Sequence, residues 1–283
     1  MFASPTSLTV VVPPETGGGP RPVTVEGVSS DRVVVEIAAP FAAGLHQVDN
    51  PVFDMRGNLY VTYSGTRGQQ VPVSIFRVRP DGTRESFSTG IVNPTSMALD
   101  AQGRLHVSSR FEGTVYRLAE DGTAEPFATE LGVACGLVFA PDGTLYVGDR
   151  TGTVFKVDGA GHAQAFASLP ASVAAFHLAL GHDGLYVAGP TLSSYDAVYH
   201  IDEGGGVTVH NRSFGRPQGL AFDDHTLFVV EALAGTSGLY RCRGGREPEL
   251  VLAGDGLVGV AFDGRGGVVV CSNDTAYRGR LPD

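Results

Sequence analysis

GVACGLVFAPDGTLYVGD, Gly132 to Asp149, reads as two short strands around a tight Pro-Asp-Gly turn, with a thiol at the start of the first. The pattern recurs. Its copies are DNPVFDMRGNLYVTY (49 to 63), TSMALDAQGRLHVSS (95 to 109), CGLVFAPDGTLYVGD (135 to 149), FHLALGHDGLYVAG (176 to 189), QGLAFDDHTLFVVE (218 to 231) and VGVAFDGRGGVVVCS (258 to 272). The turn position falls on Asp54, Asp100, Ala140, Gly181, Asp223 and Asp263, a repeat of 40 to 46 residues. The first five copies continue with a third strand, as in GTVYRLAEDG or SGLYRCRGG, and a weaker fourth such as TAEPFATEL. Four short alternating strands per repeat make a propeller blade, so the chain is expected to be all-β, a six-bladed β-propeller over residues 31–283.

The last copy ends at DTAYRGRLPD after three strands, and DRVVVEIAAP (31 to 40) is expected to supply its fourth. Pairing the two chain ends in one blade closes the ring and removes two open sheet edges. Residues 1–30 stand outside the repeat. SLTVVVPPETGGGPRPVTVEG resembles the final hairpin of an immunoglobulin-like IPT/TIG sandwich, a piece too short to fold alone.

Composition agrees with many short elements joined by tight turns: 39 Gly and 17 Pro among 283 residues, with 18% charged. The net charge of −10 repels a polyphosphate, so nucleic acid is excluded as the expected partner. Lys156 is the one lysine, and its outer-strand setting argues against Schiff-base chemistry. Three cysteines form neither a disulfide framework nor a CxxC metal pair. The start has no signal-peptide pattern and no segment approaches a membrane span, so the chain is expected to be soluble and to bind no membrane. It is expected to be cytoplasmic as it stands, and periplasmic or secreted if a leader has been removed.

In a propeller the start of each inner strand and the end of each second strand share one rim. The inner-strand starts read Asp49, Thr95, Cys135, Phe176, Gln218 and Val258, and His177 follows Phe176. The second-strand ends include Asp149 and Glu231, followed in two copies by Arg110 and Arg150. The opposite rim carries MRGN, AQGR, APDG and GHDG, ordinary solvated turns. The difference between the rims points to a site on the first. Asp149, Arg150, Arg110 and Glu231 are candidate substrate contacts or, equally, inter-blade ion pairs. Cys135 is a candidate nucleophile or a small core residue, and His177 a general base or a satisfied core imidazole. His46 and Asp49, in LHQVDNP, lie in a segment that enters the channel. Arg216 and Gln218 in GRPQG and Thr95 in VNPTS complete the substrate candidates on the inner side. PTLSSYD (190 to 196), with Tyr195, and YSGTRGQQVP (63 to 72) are candidate walls. GxSxG, HExxH, Walker and dinucleotide signatures are missing, so any chemistry must be built from separate blades.

Units such as VFDMRGNLYV and VFAPDGTLYV resemble the NHL-repeat and SMP-30/gluconolactonase/paraoxonase-like six-bladed propellers. That resemblance implies Glu, Asn, Asn and Asp ligands to a divalent cation at the inner-strand starts, with the last as general base. Carried over, the Glu position is Asp49 and one Asn position is Thr95, while the others are Cys135, Phe176 and Gln218, a clear departure from a calcium cradle. Two alternatives replace it. His46, Cys135 and His177 offer a softer site that favours zinc or copper over calcium, Asp49 being the one residue that keeps the chemistry of the calcium set. A metal-free site would use His177 or Asp49 as base, Cys135 as nucleophile, and Arg110, Arg150 or Arg216 for an anionic oxygen. The expected activity is hydrolysis of a small-molecule ester, lactone or phosphotriester, the alternative being a non-catalytic binding propeller for a peptide, sugar or protein.

Overall fold

Residues 2–3, 8–13, 15–24, 33–233, 237–244 and 246–281 are described by the computed structural model. Among them no helix occurs, and six four-stranded antiparallel sheets follow one another along the chain. Blade 1 runs from Val52–Phe53 through Leu59–Thr62 and Ile75–Val78 to Arg84–Ser88. Blades 2 to 5 begin with the inner strands Pro94–Leu99, Ala134–Phe139, His177–Gly181 and Pro217–Asp223. Blade 6 consists of Leu257–Phe262, Val268–Ser272, Thr275–Gly279 and, from the other end of the chain, Ala39–Ala43. The fold is a six-bladed β-propeller.

The ring is closed, as expected, by an N-terminal strand in the last blade, but that strand lies further along the chain than 31–40, overlapping it only at residues 39 and 40. Ala39–Ala43 pairs with Thr275–Gly279, Ala43 opposite Thr275 and Pro40 opposite Tyr277. Val33–Ile37 instead forms a hairpin with Gly19–Val23. Pro40, lacking an N–H, is tolerated because this is an outer edge strand. The more β-prone VVVEI run misled the reading, because strand propensity cannot say which partner a strand takes. The expected boundary between residues 30 and 31 lies outside the described residues.

Second strands are buried on both faces, as in Leu59–Thr62 and Leu105–Ser109, because neighbouring blades cover both sides. Apolar clusters lie at each of the six blade-to-blade interfaces, among them Leu137, Leu145 and Val147 against Val115, and Leu59 and Val61 against Val269 and Cys271. The second of these is the interface of blades 6 and 1, so the ring is packed all the way round. The turns on the opposite rim are closed by side chains: Asp54 Oδ1 accepts from Arg56 N and Asn58 N, both at 2.9 Å, and Asp100 Oδ1 does the same for Gln102 and Arg104.

Candidate functional site

Blade 1 is the irregular member of the ring. Its inner strand is only Val52–Phe53, and the residues before it bond to its own second strand at His46 and then to blades 6 and 5 from Gln47 to Asn50. His46 makes an isolated parallel bridge with Tyr63, and Gln47 N donates to Asn273 O of blade 6 at 2.7 Å. Gln47, wholly buried, holds the crossing: its Oε1 accepts from Thr62 N at 2.8 Å and its Nε2 donates to Asp49 O at 2.7 Å. Asn50 Nδ2 then donates to Leu220 O of blade 5 at 2.6 Å, and its Oδ1 accepts from Val260 N of blade 6 at 2.9 Å. Space for this passage comes from Gly219 and Gly259. A Cβ on either would lie 2.2 Å from Asn50 Oδ1 or 2.4 Å from Asp49 O.

The crossing delivers Asp49 to blade 4. Asp49 Oδ1 stands 2.6 Å from His177 Nδ1, with the two side chains 3% and 0% exposed. The carboxylate accepts from Nδ1–H, which directs Nε2 toward Gln218, whose Oε1 is 3.0 Å away. A primary amide offers both a C=O and an NH2, so Gln218 accepts from the imidazolium and, turned over, donates to the neutral ring. The imidazole thus keeps a partner whether or not it carries its second proton. Asp49, His177 and Gln218 come from blades 1, 4 and 5.

Cys135 lies beside this group but is not activated. It is fully buried, and burial pushes its thiol up to about 12, with Asp49 adding to the rise and the Phe176 backbone, Arg110 and Arg150 opposing it. The raised thiol favours the S–H form, which suits a small core residue better than a nucleophile. The metal readings do not fit either. Asp49 is engaged by His177, Thr95 Oγ1 donates to Asn93 O at 3.1 Å, and among the described residues no three His, Cys, Asp or Glu side chains converge to hold an ion. Among the described residues neither the calcium cradle nor the softer site of His46, Cys135 and His177 is assembled.

Arg110 and Arg150 follow the second strands of blades 2 and 3, and their N–H groups donate to Asn93 O at 3.3 Å and Val133 O at 3.1 Å. Both side chains are half-buried and neither has a carboxylate or hydrogen-bond partner among the described residues. Burial, with repulsion from Arg150 and Arg67, holds Arg110 below the ordinary arginine value. His46 is lowered by burial and by Arg110, and its ring meets Tyr63 edge-on at 6.1 Å. His46, Asp49, Cys135, Arg67, Arg110 and Arg150 therefore occupy one neighbourhood. Sequence reasoning missed Arg67; the signal was its place in the insertion at 63–72, which Asn93 secures to blade 2.

The remaining candidates serve other ends. Asp149 Oδ1 accepts from Val133 N at 2.9 Å and Thr151 N at 3.2 Å, and Oδ2 from the Thr151 hydroxyl, so it closes a strand end. Arg216 is half-buried on blade 5, its carbonyl accepting from Ala232 N at 3.2 Å. Tyr195, 61% exposed, and Glu231, which accepts from Leu233 N at 2.7 Å, line a separate recess with Ser213, Phe214 and Glu247. A groove of about 500 Å³ between the outer strands of blades 1 and 2, lined by Phe87, Ile91 and Tyr116, gathers no catalytic pair.

No family model matches the chain, and no curated protein is similar to it in sequence. Solved structures are similar in fold. A gluconolactonase from Xanthomonas campestris superposes with a TM-score of 0.71 at 16% identity, over 87% of this chain and 89% of that one. The similarity is one of fold. PQQ-bound aldose sugar dehydrogenase from Streptomyces coelicolor gives 0.65 at 15% identity, over 86% and 96% of the two chains. Virginiamycin B lyase from Staphylococcus aureus, bound to quinupristin, gives 0.62 at 13% identity, over 96% and 98%. Three activities on one ring leave the chemistry to be argued from the side chains. No helix of the described residues is long and apolar enough to cross a membrane.

Proposed function

We propose that the protein is a lactonase- or esterase-like hydrolase of a small molecule, acting at this rim without a resident metal. The observation that carries the reading is the buried Asp49–His177 pair with Gln218 on the far ring nitrogen. In this mechanism Gln218 swings aside, a water takes its place at Nε2, and the water attacks the substrate carbonyl or phosphoryl centre as its proton passes to Nε2. Asp49 fixes the tautomer and balances the imidazolium. The oxyanion falls to Arg110 and Arg150, and the proton on Nε2 returns to the leaving oxygen. The gluconolactonase of the same fold supports a lactonase-like propeller.

One observation favours a second reading. His177 is wholly buried, so a ring that only binds would need nothing more than this pair as its central brace. A panel of lactones, aryl esters and phosphotriesters separates the two. Turnover that survives chelator and is lost in His177→Gln supports the hydrolase; a folded wild-type protein with no turnover on any member leaves the binding propeller.

A further inference from the structure

Several arginines on the blades are matched to acids: Arg104 to Asp100, Arg117 to Glu125, Arg241 to Glu249 and Arg278 to Asp263. Arg67, Arg110 and Arg150 form no ion pair among the described residues, although the chain carries ten more acidic than basic side chains. Asp49, whose charge acts on Cys135 together with those of Arg110 and Arg150, is taken by His177.

The three are brought together by construction. Asn93, with a positive φ of 47°, uses its whole amide on the loop that carries Arg67. Its Nδ2 donates to Ser64 O at 2.6 Å and Thr66 O at 2.8 Å, and its Oδ1 accepts from Gly68 N at 2.7 Å. The Asn93 carbonyl accepts from Arg110 N, so a single residue fixes the Arg67 loop and Arg110 to one point. Arg150 occupies the corresponding position on the next blade. Ser64, at that same repeat position on blade 1, has a buried hydroxyl with no partner among the described residues. Arg110 and Arg150 are partly buried and Arg67 is exposed beside them; like charges held close in this way repel one another, and the arrangement is stabilised by an anion that accepts from several guanidiniums at once.

We infer that Arg67, Arg110 and Arg150 form a subsite for a compact anionic group, phosphate or carboxylate, carried by the small molecule that this rim binds. The subsite deepens the hydrolase reading, on which it rests only in calling that molecule a substrate. It sets specificity: neutral lactones and esters lack its partner, and substrates bearing a phosphate or carboxylate beside the scissile bond gain it. The surrounding negative charge of the protein confines the attraction to the rim.

The test is calorimetric titration of the intact protein with inorganic phosphate, pyrophosphate and malonate, each against sodium chloride at equal ionic strength. Binding of at least one of them is expected, weakened about tenfold or more in Arg110→Gln and in Arg150→Gln. Arg117→Gln, on an outer strand, is expected to bind as the wild type does, and thermal unfolding of each variant checks that the fold is intact. Phosphate against malonate tells which source of anionic oxygens the subsite prefers. Failure of all three anions to bind above chloride, or equal binding by the Arg110, Arg150 and Arg117 variants, overturns the inference. Because the readout is binding, a protein that hydrolyses neutral lactones and ignores these anions keeps the hydrolase reading and loses the subsite. One that binds them and hydrolyses nothing does the reverse.

Discussion

Asp49 of blade 1 and His177 of blade 4 meet across the ring, Oδ1 to Nδ1 at 2.6 Å, although they stand 128 positions apart in the chain. Blades 1 and 4 are three apart in a circle of six, so the pair spans the channel and links opposite sides of the molecule. The shortened inner strand of blade 1 makes this reach available, since a segment committed to pairing along its own blade would not lean over the axis.

Removing one partner leaves a buried polar group without its complement. Asp49→Ala is expected to lower the unfolding free energy by about 3 kcal/mol or more, as for other buried pairs broken on one side. His177→Gln, which keeps an amide able to bond both Asp49 and Gln218, is expected to cost less. Urea unfolding of the two variants checks the order, and equal stability of Asp49→Ala and wild type would contradict it.

Gly219 and Gly259 are required by the passage of the crossing segment. Gly259→Ala places a methyl 2.4 Å from the Asp49 carbonyl and Gly219→Ala one 2.2 Å from Asn50 Oδ1. Each is expected to destabilise by about 1–3 kcal/mol through overpacking and to displace Asp49 from His177. Gly244→Ala, with open space around the added methyl, is the control.

The three thiols give the protein an alkaline limit. Burial pushes Cys135 and Cys242 up to about 12 and Cys271 higher still, whereas an unfolded thiol titrates near 9. Above that value the unfolded chain binds fewer protons than the native one, so stability falls as pH rises, by about 1.4 kcal/mol per pH unit for each thiol. Below it the thiols contribute no slope. Chemical denaturation from pH 8 to 10.5 tests the trend, and Cys271→Ala is expected to flatten it by one thiol's share. Native protein is also expected to resist thiol reagents at pH 7.5 until unfolded.

His46 reports on the arginines. Burial lowers it first and the Arg110 charge second, so Arg110→Gln is expected to move it upward toward 6.5. Titration of the imidazole proton signals by NMR measures the change, and an unmoved His46 would place Arg110 elsewhere.

The ring itself was readable from the repeat, because each blade needs the same strand, turn, strand pattern and the turns use the same Asp and Gly chemistry, as at Asp54, Asp100 and Asp263. The closing strand was not: Ala39–Ala43 is a weak strand sequence held by its position opposite Thr275–Gly279, and only tertiary pairing distinguishes it from Val33–Ile37. For the site, ring geometry pointed to the rim that holds Asp49, His177, Gln218, Arg110 and Arg150. The sequence placed His46 and Asp49 in a segment that enters the channel, but repeat alignment could not say which blade Asp49 would reach, and so its contact with His177 was not legible. For Asp149 and Cys135 the two alternatives stay open in the sequence for a common reason. A carboxylate that closes a strand end and a thiol sealed in the core have the same residue types as a site, and partners and burial alone tell them apart.

The central claim, that Asp49 and His177 act as one catalytic unit, is tested most directly by a double-mutant cycle of kcat/KM on the best substrate of the panel, using Asp49→Asn, His177→Gln and both together. The account predicts that either single change lowers the rate by about 10²- to 10⁴-fold and that the double variant is scarcely slower than the worse single one. Losses that multiply independently, or an undiminished rate in folded His177→Gln, would contradict it.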